Sequence, residues 1–476
     1  MFVRLMDVSP RCVGRLAPLV ATVLATIVAT GASGRERFDT RVLAKVPDPG
    51  SVALTVLGGD RTIYGGTFFP AAGNAGDGTP SRLFAWAPDG RLLHTWTIAG
   101  QDLAADHGVQ ATVVDAVGDV YLLDTSPARV IVFDPRSGAQ RTYATIPDLH
   151  PCSGASRSGC SASLLDNPPE PDYAAWGPDG SLYVTDDTQA TIFRVPPGGG
   201  AARPWLTDPR FDFILFGLTG LALAPDRRTL VAATVGSSPL AAADPVAGSL
   251  VAIPIEPNGS PGTPRVLWRS GDAEAPDGFA FAGSGDIYVA LVGPVADQIV
   301  ELSPGGRELA RFPSAVDNAL RQVPFDTPSS AVFDGSRLLV TNLSYFADDR
   351  AHQVIFDVEA GEPGAPVFVP SAPAAARPRL RLRVVPRILI AGRRVRLHVW
   401  VRLLGGGPAT TWPGGAAVQL GGHRYDVGPH GRVTVTVRFA RAGRVPMRAT
   451  ARGALPARLM LIVRAPARSR HARPRE

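Results

Sequence analysis

The stretch AAWGPDGSLYVTDD (174–187) contains two short apolar strands joined by a tight turn. Pro, Asp and Gly are the residues that such turns favour, and here they sit between β-branched, aromatic and small apolar residues. Two other stretches repeat the pattern closely, VVDAVGDVYLLD (113–124) and FAFAGSGDIYVAL (279–291). The repeat predicts a structural unit that begins with a strand, a turn and a second strand.

The unit recurs six times along the chain, at a spacing of roughly 40 to 55 residues. Its looser copies are LTVLGGDRTIYGGT (54–67), LALAPDRRTLVAAT (221–234) and AVFDGSRLLVTNL (331–343). Further strands follow each copy, for example RVIVFDP (129–135). Four antiparallel strands at this period are typical of a propeller blade, and blades stack around a channel because one blade cannot bury both faces. We therefore predict an all-β fold with a six-bladed β-propeller over residues 38–370, in which FDTRVLAKV (38–46) is a candidate outer strand of the last blade.

Charge divides the chain near Arg377. From this residue onward there are 22 arginines and two acidic residues, a net charge of +20, whereas the preceding part has 26 basic and 40 acidic residues, a net charge of −14. This asymmetry predicts a domain boundary in the Pro/Ala-rich linker 371–378. Alternating segments such as RVTVTVRF (432–439) predict a small immunoglobulin-like β-sandwich over 379–465, followed by a basic disordered tail at 466–476.

The first 32 residues have the pattern of a secretory signal peptide. Arginines precede an apolar stretch from Leu16 to Ala29, and small residues follow it. We expect a secreted or envelope protein, with an uncleaved N-terminal anchor as the alternative. The single lysine beside 47 arginines indicates a bacterial genome rich in G and C. In an oxidising compartment, Cys152 and Cys160 are expected to form a local disulfide.

Polar residues occupy an equivalent place in five blades, six residues or slightly fewer before the turn of the first hairpin. They are Gln110, Asp172, Thr219, Asp277 and Ser329. The innermost strands of a propeller begin at one face, so these side chains would meet at the channel mouth. Oxygen ligands suit a divalent cation, calcium above all. His107 precedes an innermost strand and is a further candidate acid or base. The structural alternative is that these residues bond neighbouring backbone groups, and that His107 is a solvated loop residue.

The six-unit pattern over residues 45–370 resembles the regucalcin/gluconolactonase family and, more loosely, NHL-type propellers. PDGFAFAGSGDIYVA (276–290) is similar to the strand of that family whose aspartate is a metal ligand and base, which implies these roles for Asp277. Asp172 lies where the family commonly has an asparagine that contacts substrate or metal, and Thr219 where an asparagine ligand is usual. The family's glutamate ligand in the first blade has no counterpart.

Two functional hypotheses follow from the sequence. In the first, an exported propeller binds a small ligand or divalent ion at its channel mouth and hydrolyses a lactone or ester. Asp277 would be catalytic, Asp172, Thr219 and Asp277 would bind the metal, and Gln110, His107 and Ser329 would contact substrate. In the second, the propeller is a non-enzymatic interaction or envelope-binding scaffold. For the basic domain we expect anionic polymers or lipids as partners, and not nucleic acid, because few aromatic side chains are available to stack on bases.

Overall fold

The structure is a computed structural model that describes residues 35–47, 51–68, 78–153, 159–213, 216–236, 247–371, 379–404, 415–428, 430–451, 454 and 456–466. The predicted signal peptide, residues 372–378 of the predicted linker and residues 467–476 of the predicted tail lie outside this part of the chain. Among the described residues, no helix is long and apolar enough to cross a membrane.

Six antiparallel sheets form a propeller, one sheet for each repeat of the sequence. An initial strand, β1 (Thr40–Lys45), precedes the first repeat. Blades 1 to 3 hold β2 (Ser51–Leu57), β3 (Ile63–Phe68), β4 (Arg82–Trp86), β5 (Leu92–Thr97), β6 (Val109–Val114), β7 (Val120–Thr125), β8 (Ala128–Asp134), β9 (Ala139–Thr145), β10 (Pro171–Trp176), β11 (Leu182–Asp186), β12 (Thr191–Val195), β13 (Gly200–Ala201) and β14 (Arg203–Thr207). Of these, β13 pairs with β9 of the preceding blade.

Blades 4 to 6 continue the same order of strands. They hold β15 (Leu218–Leu223), β16 (Thr229–Thr234), β17 (Ala247–Pro254), β18 (Arg265–Asp272), β19 (Pro276–Phe281), β20 (Ile287–Leu291), β21 (Gln298–Leu302), β22 (Glu308–Phe312), β23 (Pro328–Asp334), β24 (Arg337–Asn342) and β25 (Val354–Glu359). A 3-10 helix (Pro209–Phe211) precedes blade 4, and a short helix, α1 (Ala315–Ala319), precedes blade 6.

The ring closes between the last blade and the start of the chain. The innermost strands β2, β6, β10, β15, β19 and β23 each lie beside the next, and β23 lies beside β2. Outside them, β1 pairs antiparallel with β25 and completes blade 6. This confirms the predicted role of FDTRVLAKV as the outer strand of the last blade. A closed ring of this kind leaves only short, protected sheet edges at the outer strands of its blades.

Apolar and ionic contacts hold the seam between blades 6 and 1. Ala44 of β1 belongs to a buried cluster with Trp86 of blade 1 and Ile355 of blade 6. The guanidinium of Arg61 donates to both carboxylate oxygens of Asp334 across the seam, at 2.6 and 2.8 Å. The seam is therefore packed in the manner of the other blade interfaces.

All six innermost strands have an irregularity in their pairing close to where they begin. The pairing register shifts between Pro171 and Ala174 in β10, and at the equivalent places in β15 and β19. A bulge adds one residue against the partner strand and changes where a side chain points. These irregularities contain Asp172, Thr219 and Asp277, three of the residues that the sequence placed at the channel mouth. The upper face of the propeller is defined here as the face at which the innermost strands begin.

The residues after the propeller form a small two-sheet domain. One sheet holds β26 (Arg379–Val385), β28 (Arg394–Leu404) and β31 (Arg432–Arg438); the other holds β27 (Ile388–Ile390), β29 (Ala417–Leu420), β30 (His423–Asp426), β32 (Gly443–Thr450) and β33 (Ala457–Arg464). Apolar side chains from both sheets, such as Leu397 and Leu461, share one buried core. Arg381 and Arg383 alternate with buried residues and are exposed, as a sandwich with one polar face per sheet requires.

We expect limited proteolysis to cut first between about Val369 and Leu380, or after Ala465, because the Pro/Ala-rich sequence of 371–378 and the basic sequence after Ala465 have few large apolar side chains to bury in a core. Before this region the chain is attached to blade 5 by hydrogen bonds from Gly283 N–H to Pro363 and from Ala365 N–H to Phe281. Mass spectrometry of the fragments locates the cuts. The propeller fragment should stay folded, and the basic fragment should bind anionic lipid vesicles until salt is raised. Aggregation of the isolated propeller fragment would contradict the predicted boundary.

Candidate functional site

Four side chains from blades 2 to 5 come together at the upper end of the channel. They are Gln110 of β6, Asp172 of β10, Thr219 of β15 and Asp277 of β19, and all four are more than nine-tenths buried. The Gln110 amide donates to Asp172 Oδ1 at 2.5 Å. The Thr219 hydroxyl donates to the Pro276 carbonyl at 3.2 Å, next to Asp277. The equal positions of these residues in their blades therefore correspond to one place in the structure.

Blade 3 adds three more carboxyl groups to this place. Glu170 immediately precedes β10, Asp186 ends β11, and Asp187 follows it. With Asp172 and Asp277 they form what we call the channel acidic cluster. Asp186 is fixed by hydrogen bonds from its own turn, including the Gln189 N–H and side-chain amide, each at 3.0 Å. The other four carboxyl groups have few donors around them.

The pKa values of the cluster show how unfavourable its ionisation is. Burial raises the pKa of Asp172 to about 7, and the charge of Asp186 adds to the effect. Burial and then the charge of Asp172 raise the pKa of Asp277 well above its ordinary value, although the neighbouring Tyr173 and Thr219 side chains act in the opposite direction. Burial together with the neighbouring carboxylates raises the pKa of Asp187 strongly. Perturbation of this kind is characteristic of functional sites.

Three buried oxygen atoms of this site accept no hydrogen bond within the described part of the chain. They are Gln110 Oε1, Asp187 Oδ1 and Asp277 Oδ1. The largest influences on the pKa values of Asp172, Asp187 and Asp277 are burial, other acids and neutral donors, with no basic side chain among them. A buried acceptor without a partner costs about 1–3 kcal/mol, and more when it is charged. The channel acidic cluster is therefore incomplete as a purely structural arrangement.

Blade 2 offers a direct contrast. Asp124 is the next-to-last residue of β7, much as Asp186 ends β11, but its carboxylate pairs with Arg129 at 2.8 Å and accepts from Gln101 at 2.7 Å. Elsewhere Asp334 pairs with Arg61, and Glu274 with Arg311. The buried acids Asp124, Glu301 and Asp334 thus each have an arginine partner, whereas no arginine pair is formed by the channel acidic cluster within the described residues.

Tyr173 crosses the channel beneath the cluster. Its hydroxyl donates to the Ser329 carbonyl of blade 6 at 2.9 Å. Gly278 makes room for it, because a Cβ at that position would lie 2.2 Å from the tyrosine oxygen. The ring also belongs to the buried cluster that includes Leu54 and Leu218. Tyr173 therefore connects opposite sides of the ring and forms an apolar floor under the carboxylates.

Two of the predicted contact residues have other roles in the structure. The Ser329 hydroxyl donates to the Ala53 carbonyl at 2.7 Å and so connects blades 6 and 1. His107 is buried, and its ring nitrogens lie 2.9 and 2.8 Å from the carbonyl oxygens of Ala105 and Thr79. His107 therefore connects two loops and is not the solvated residue of the structural alternative. Because both ring nitrogens already lie within hydrogen-bond distance of carbonyl oxygens, His107 is unsuited to contact a substrate.

The insertion between blades 2 and 3 lies at the upper face. Cys152 and Cys160 are joined by a disulfide with Cα atoms 5.0 Å apart. The Leu149 N–H donates to Gln189 Oε1 at 2.6 Å, and the Ser161 hydroxyl donates to the Gln189 carbonyl at 2.9 Å. The insertion therefore packs against the turn that carries Asp186 and Asp187. Residues 69–77, 214–215 and 237–246 lie outside the described part of the chain.

A second acidic group lies away from the channel. Within the described ranges, one set of three carboxyl groups has oxygens that all lie within 4.8 Å of one another, namely Asp286, Glu301 and Glu362. The Arg37 guanidinium already binds Glu301 there, and the Tyr288 hydroxyl lies 3.1 Å from Glu301 Oε1 and 3.0 Å from Glu362 Oε1, within hydrogen-bond reach of either. This group thus has an internal cation. The channel carboxylates are spaced more widely, so a metal ion bound among them would keep water in part of its coordination shell.

Sequence reasoning missed Glu170, Asp187 and Tyr173. The equal-offset argument selects one residue per blade, whereas blade 3 supplies five residues of the site, namely Glu170, Asp172, Tyr173, Asp186 and Asp187. Two pairs of acids in the sequence could have indicated this cluster. EPD (170–172) stands at the start of one strand and DD (186–187) at the end of the next, and these ends of two antiparallel neighbours lie at the same edge of the sheet. Nothing comparable in the sequence indicates that Tyr173 reaches blade 6, because the bulge in β10 decides its direction.

The chain is similar to several solved structures. A regucalcin described as a calcium-binding protein, from Agrobacterium tumefaciens, is 17% identical, with a TM-score of 0.48 over 71% of this chain and 98% of that one. A gluconolactonase from Xanthomonas campestris is 16% identical, with a TM-score of 0.43 over 69% and 91%. A virginiamycin B lyase from Staphylococcus aureus is 14% identical, with a TM-score of 0.41 over 68% and 99%. No protein-family model and no curated protein matches the sequence. The first two structures carry the names of the family that the repeat pattern resembles. The residue roles described above are argued from the contacts within this chain and not from these similarities.

Proposed function

We propose that the channel acidic cluster binds a divalent cation, with calcium as the ion that its ligands suit best. The observation that carries the proposal is the set of buried acceptors without a partner, Gln110 Oε1, Asp187 Oδ1 and Asp277 Oδ1. All are oxygens, and calcium takes six to eight oxygen ligands from carboxylates, amides and water. Thr219 and the half-buried Glu170 supply further oxygens at the same place.

Charge balance supports the same conclusion. Five carboxyl groups surround the upper channel, and the groups that act most strongly on them include no arginine, lysine or histidine of the described residues. Two or more buried negative charges at close distance require a counter-ion or protonation. A divalent cation would neutralise them and would satisfy the three acceptors at once.

Isothermal titration calorimetry with calcium chloride tests this proposal. Wild type should bind one strong equivalent, and Asp187→Asn should lose at least tenfold in affinity, because one ligand charge is removed. Asp286→Asn is the matched control, since it removes one carboxylate from the second acidic group. The proposal fails if Asp187→Asn binds calcium like wild type, or if only Asp286→Asn weakens binding.

A second candidate function is hydrolysis of a lactone or ester at the same place. The observation that favours it is the raised pKa of Asp277, combined with the free acceptor Oδ1 of that residue. A carboxylate of raised pKa accepts a proton from water more readily than an ordinary one. Tyr173, Thr219 and the Gly278 N–H would hold the Asp277 carboxylate in position. A bound divalent ion polarises a carbonyl group and lowers the pKa of coordinated water.

The non-enzymatic scaffold remains the competing proposal for the propeller. A pH-stat assay of lactone hydrolysis with calcium present separates the two. Turnover that disappears in Asp277→Asn favours the hydrolase, whereas calcium binding without any turnover favours a binding protein. We also propose, from its net charge alone, that the basic sandwich domain of the exported protein binds anionic envelope polymers or lipid headgroups.

A further inference from the structure

Three aromatic side chains lie beside the channel acidic cluster on the upper face. The Phe216 and Tyr345 rings are 5.7 Å apart and nearly perpendicular, and the Tyr345 and Phe346 rings are 5.2 Å apart in the same arrangement. We call Phe216, Tyr345 and Phe346 the aromatic lip. Phe346 is 55% exposed, so more than half of its surface is open to solvent or to a ligand.

The aromatic lip adjoins the acidic cluster directly. Tyr345 packs against the apolar floor that contains Tyr173 and Leu343. Its hydroxyl lies where the charges of Glu170 and Asp187 act on it, and burial together with those charges raises its pKa. The apolar surface and the oxygen ligands therefore belong to one continuous mouth.

The loop that presents the lip is held in a strained conformation. Thr327 and Ser344 have φ values of +50° and +52°, a region that residues other than glycine rarely adopt. The Tyr345 N–H donates to the Thr327 hydroxyl at 2.6 Å, and the Ser344 hydroxyl donates to Asp326 at 2.7 Å. Backbone strain of this kind persists where the surrounding structure fixes it, and it concentrates at functional sites. The loop is thus built to hold Tyr345 and Phe346 in place.

More apolar surface lies on the insertion next to the lip. Leu164 and Leu165 are 58% and 40% exposed. The Leu164 N–H donates to Asp212, which lies in the segment that leads to Phe216. Among the described residues, Phe346, Leu164 and Leu165 thus offer exposed apolar side chains, on which an alkyl or aromatic group would be removed from water.

We propose that the channel mouth binds small amphiphilic molecules, with the apolar group on the aromatic lip and a carboxylate or carbonyl oxygen directed to the acidic cluster and its cation. The inference rests on the proposed cation site only for the oxygen end of the ligand. The apolar end is recognised by residues of this chain that contact no ion. The ligand class is therefore acyl or aryl, and not sugar-like.

Calorimetry with three stable carboxylates tests the inference: decanoate, pentanoate and gluconate, each titrated into the protein in calcium chloride. Decanoate should bind at least tenfold more tightly than pentanoate, because burial of two methylene groups accounts for a factor of this size. Gluconate should bind more weakly than decanoate. Phe346→Ser should bring the decanoate affinity to within about threefold of the pentanoate affinity while leaving calcium binding unchanged. Leu309→Ser, a similar change on the outer strand β22, should have no effect.

The outcomes separate this inference from the cation proposal. The inference is overturned if Phe346→Ser binds decanoate as tightly as wild type does, or if gluconate binds more tightly than decanoate. Neither result contradicts the cation proposal. If wild type and every variant fail to bind calcium, but decanoate binding still depends on Phe346, the cation proposal is refuted and the inference about the aromatic lip is supported. Wild-type thermal stability of Phe346→Ser establishes that a lost affinity reflects the lip and not the fold.

Discussion

Asp277→Asn is expected to make the metal-free protein more stable at pH 8 and to abolish its stabilisation by calcium. Burial and the charge of Asp172 raise the pKa of Asp277, so ionisation of this residue costs free energy in the folded protein. An amide of the same shape carries no charge and avoids that cost. The same substitution removes a carboxylate ligand, so the ion no longer binds the folded state in preference to the unfolded state.

The pH dependence follows from the direction of the shifts. Carboxyl groups in the unfolded chain have pKa values near 4, whereas the pKa of Asp172 in the folded protein is about 7 and those of Asp187 and Asp277 are raised well above the ordinary value. Between these limits the folded protein holds more protons than the unfolded chain, so the free energy of unfolding falls as pH rises. For Asp172 alone, the difference between 3.8 and about 7 corresponds to at most about 4 kcal/mol.

Urea unfolding at pH 5 and pH 8, with EDTA or with calcium, measures both effects. Wild type without calcium should lose stability between the two pH values, and calcium should restore it at pH 8. Asp226→Asn is the matched control, because backbone and side-chain hydrogen bonds lower the pKa of Asp226. That variant should be slightly destabilised and should keep the calcium response. An Asp277→Asn protein that is less stable than wild type in EDTA at pH 8 would contradict this account of the cluster.

Ala44→Asp is expected to destabilise the propeller strongly, by about 3–5 kcal/mol. Ala44 is 5% exposed and packs between Trp86 and Ile355, at the seam where the ring closes. A carboxylate there would be buried without a partner. Because β1 is the outer strand of blade 6, its displacement would also expose the edge of β25.

The matched control lies two residues away on the same strand. Val42 is 41% exposed, so Val42→Asp places the same charge in water and should cost less than about 1 kcal/mol. Urea midpoints of the two variants give the comparison. Equal midpoints would mean that the seam does not depend on β1, and that the ring is closed by the contacts of β2 with β23 and the pair of Arg61 with Asp334 alone.

The repeat in the sequence was sufficient to predict the propeller, but it left open how the ring closes. Each blade begins with a strand, a tight turn and a second strand, and four-stranded units of this kind at a regular period favour a ring of antiparallel sheets. The segment 38–46 was a candidate outer strand because it precedes the first repeat, and its pairing with β25 completes the last blade. The small sandwich followed from its alternating residues, since alternation places one set of side chains in a core.

The site was predictable only in part. Spacing brought Gln110, Asp172, Thr219 and Asp277 to one end of the channel, because equal offsets in radially repeated blades correspond to equal heights. Spacing could not show that Ser329 donates to Ala53 or that His107 lies between two carbonyl groups, since both contacts are made by loops or neighbouring blades. It also could not indicate which acids have an arginine partner. That contrast, between Asp124 with Arg129 and the unpaired channel carboxylates, appears only in three dimensions.

The measurement that tests the central claim most directly is anomalous X-ray scattering from crystals soaked in terbium, a trivalent ion that replaces calcium at oxygen sites. We expect one dominant peak at the upper end of the channel, bounded by the carboxylates of Asp187 and Asp277 and the Gln110 carbonyl oxygen, and displaced by excess calcium. No peak at this place, or a dominant peak only at Asp286, Glu301 and Glu362, would contradict the claim that the channel acidic cluster is a cation site.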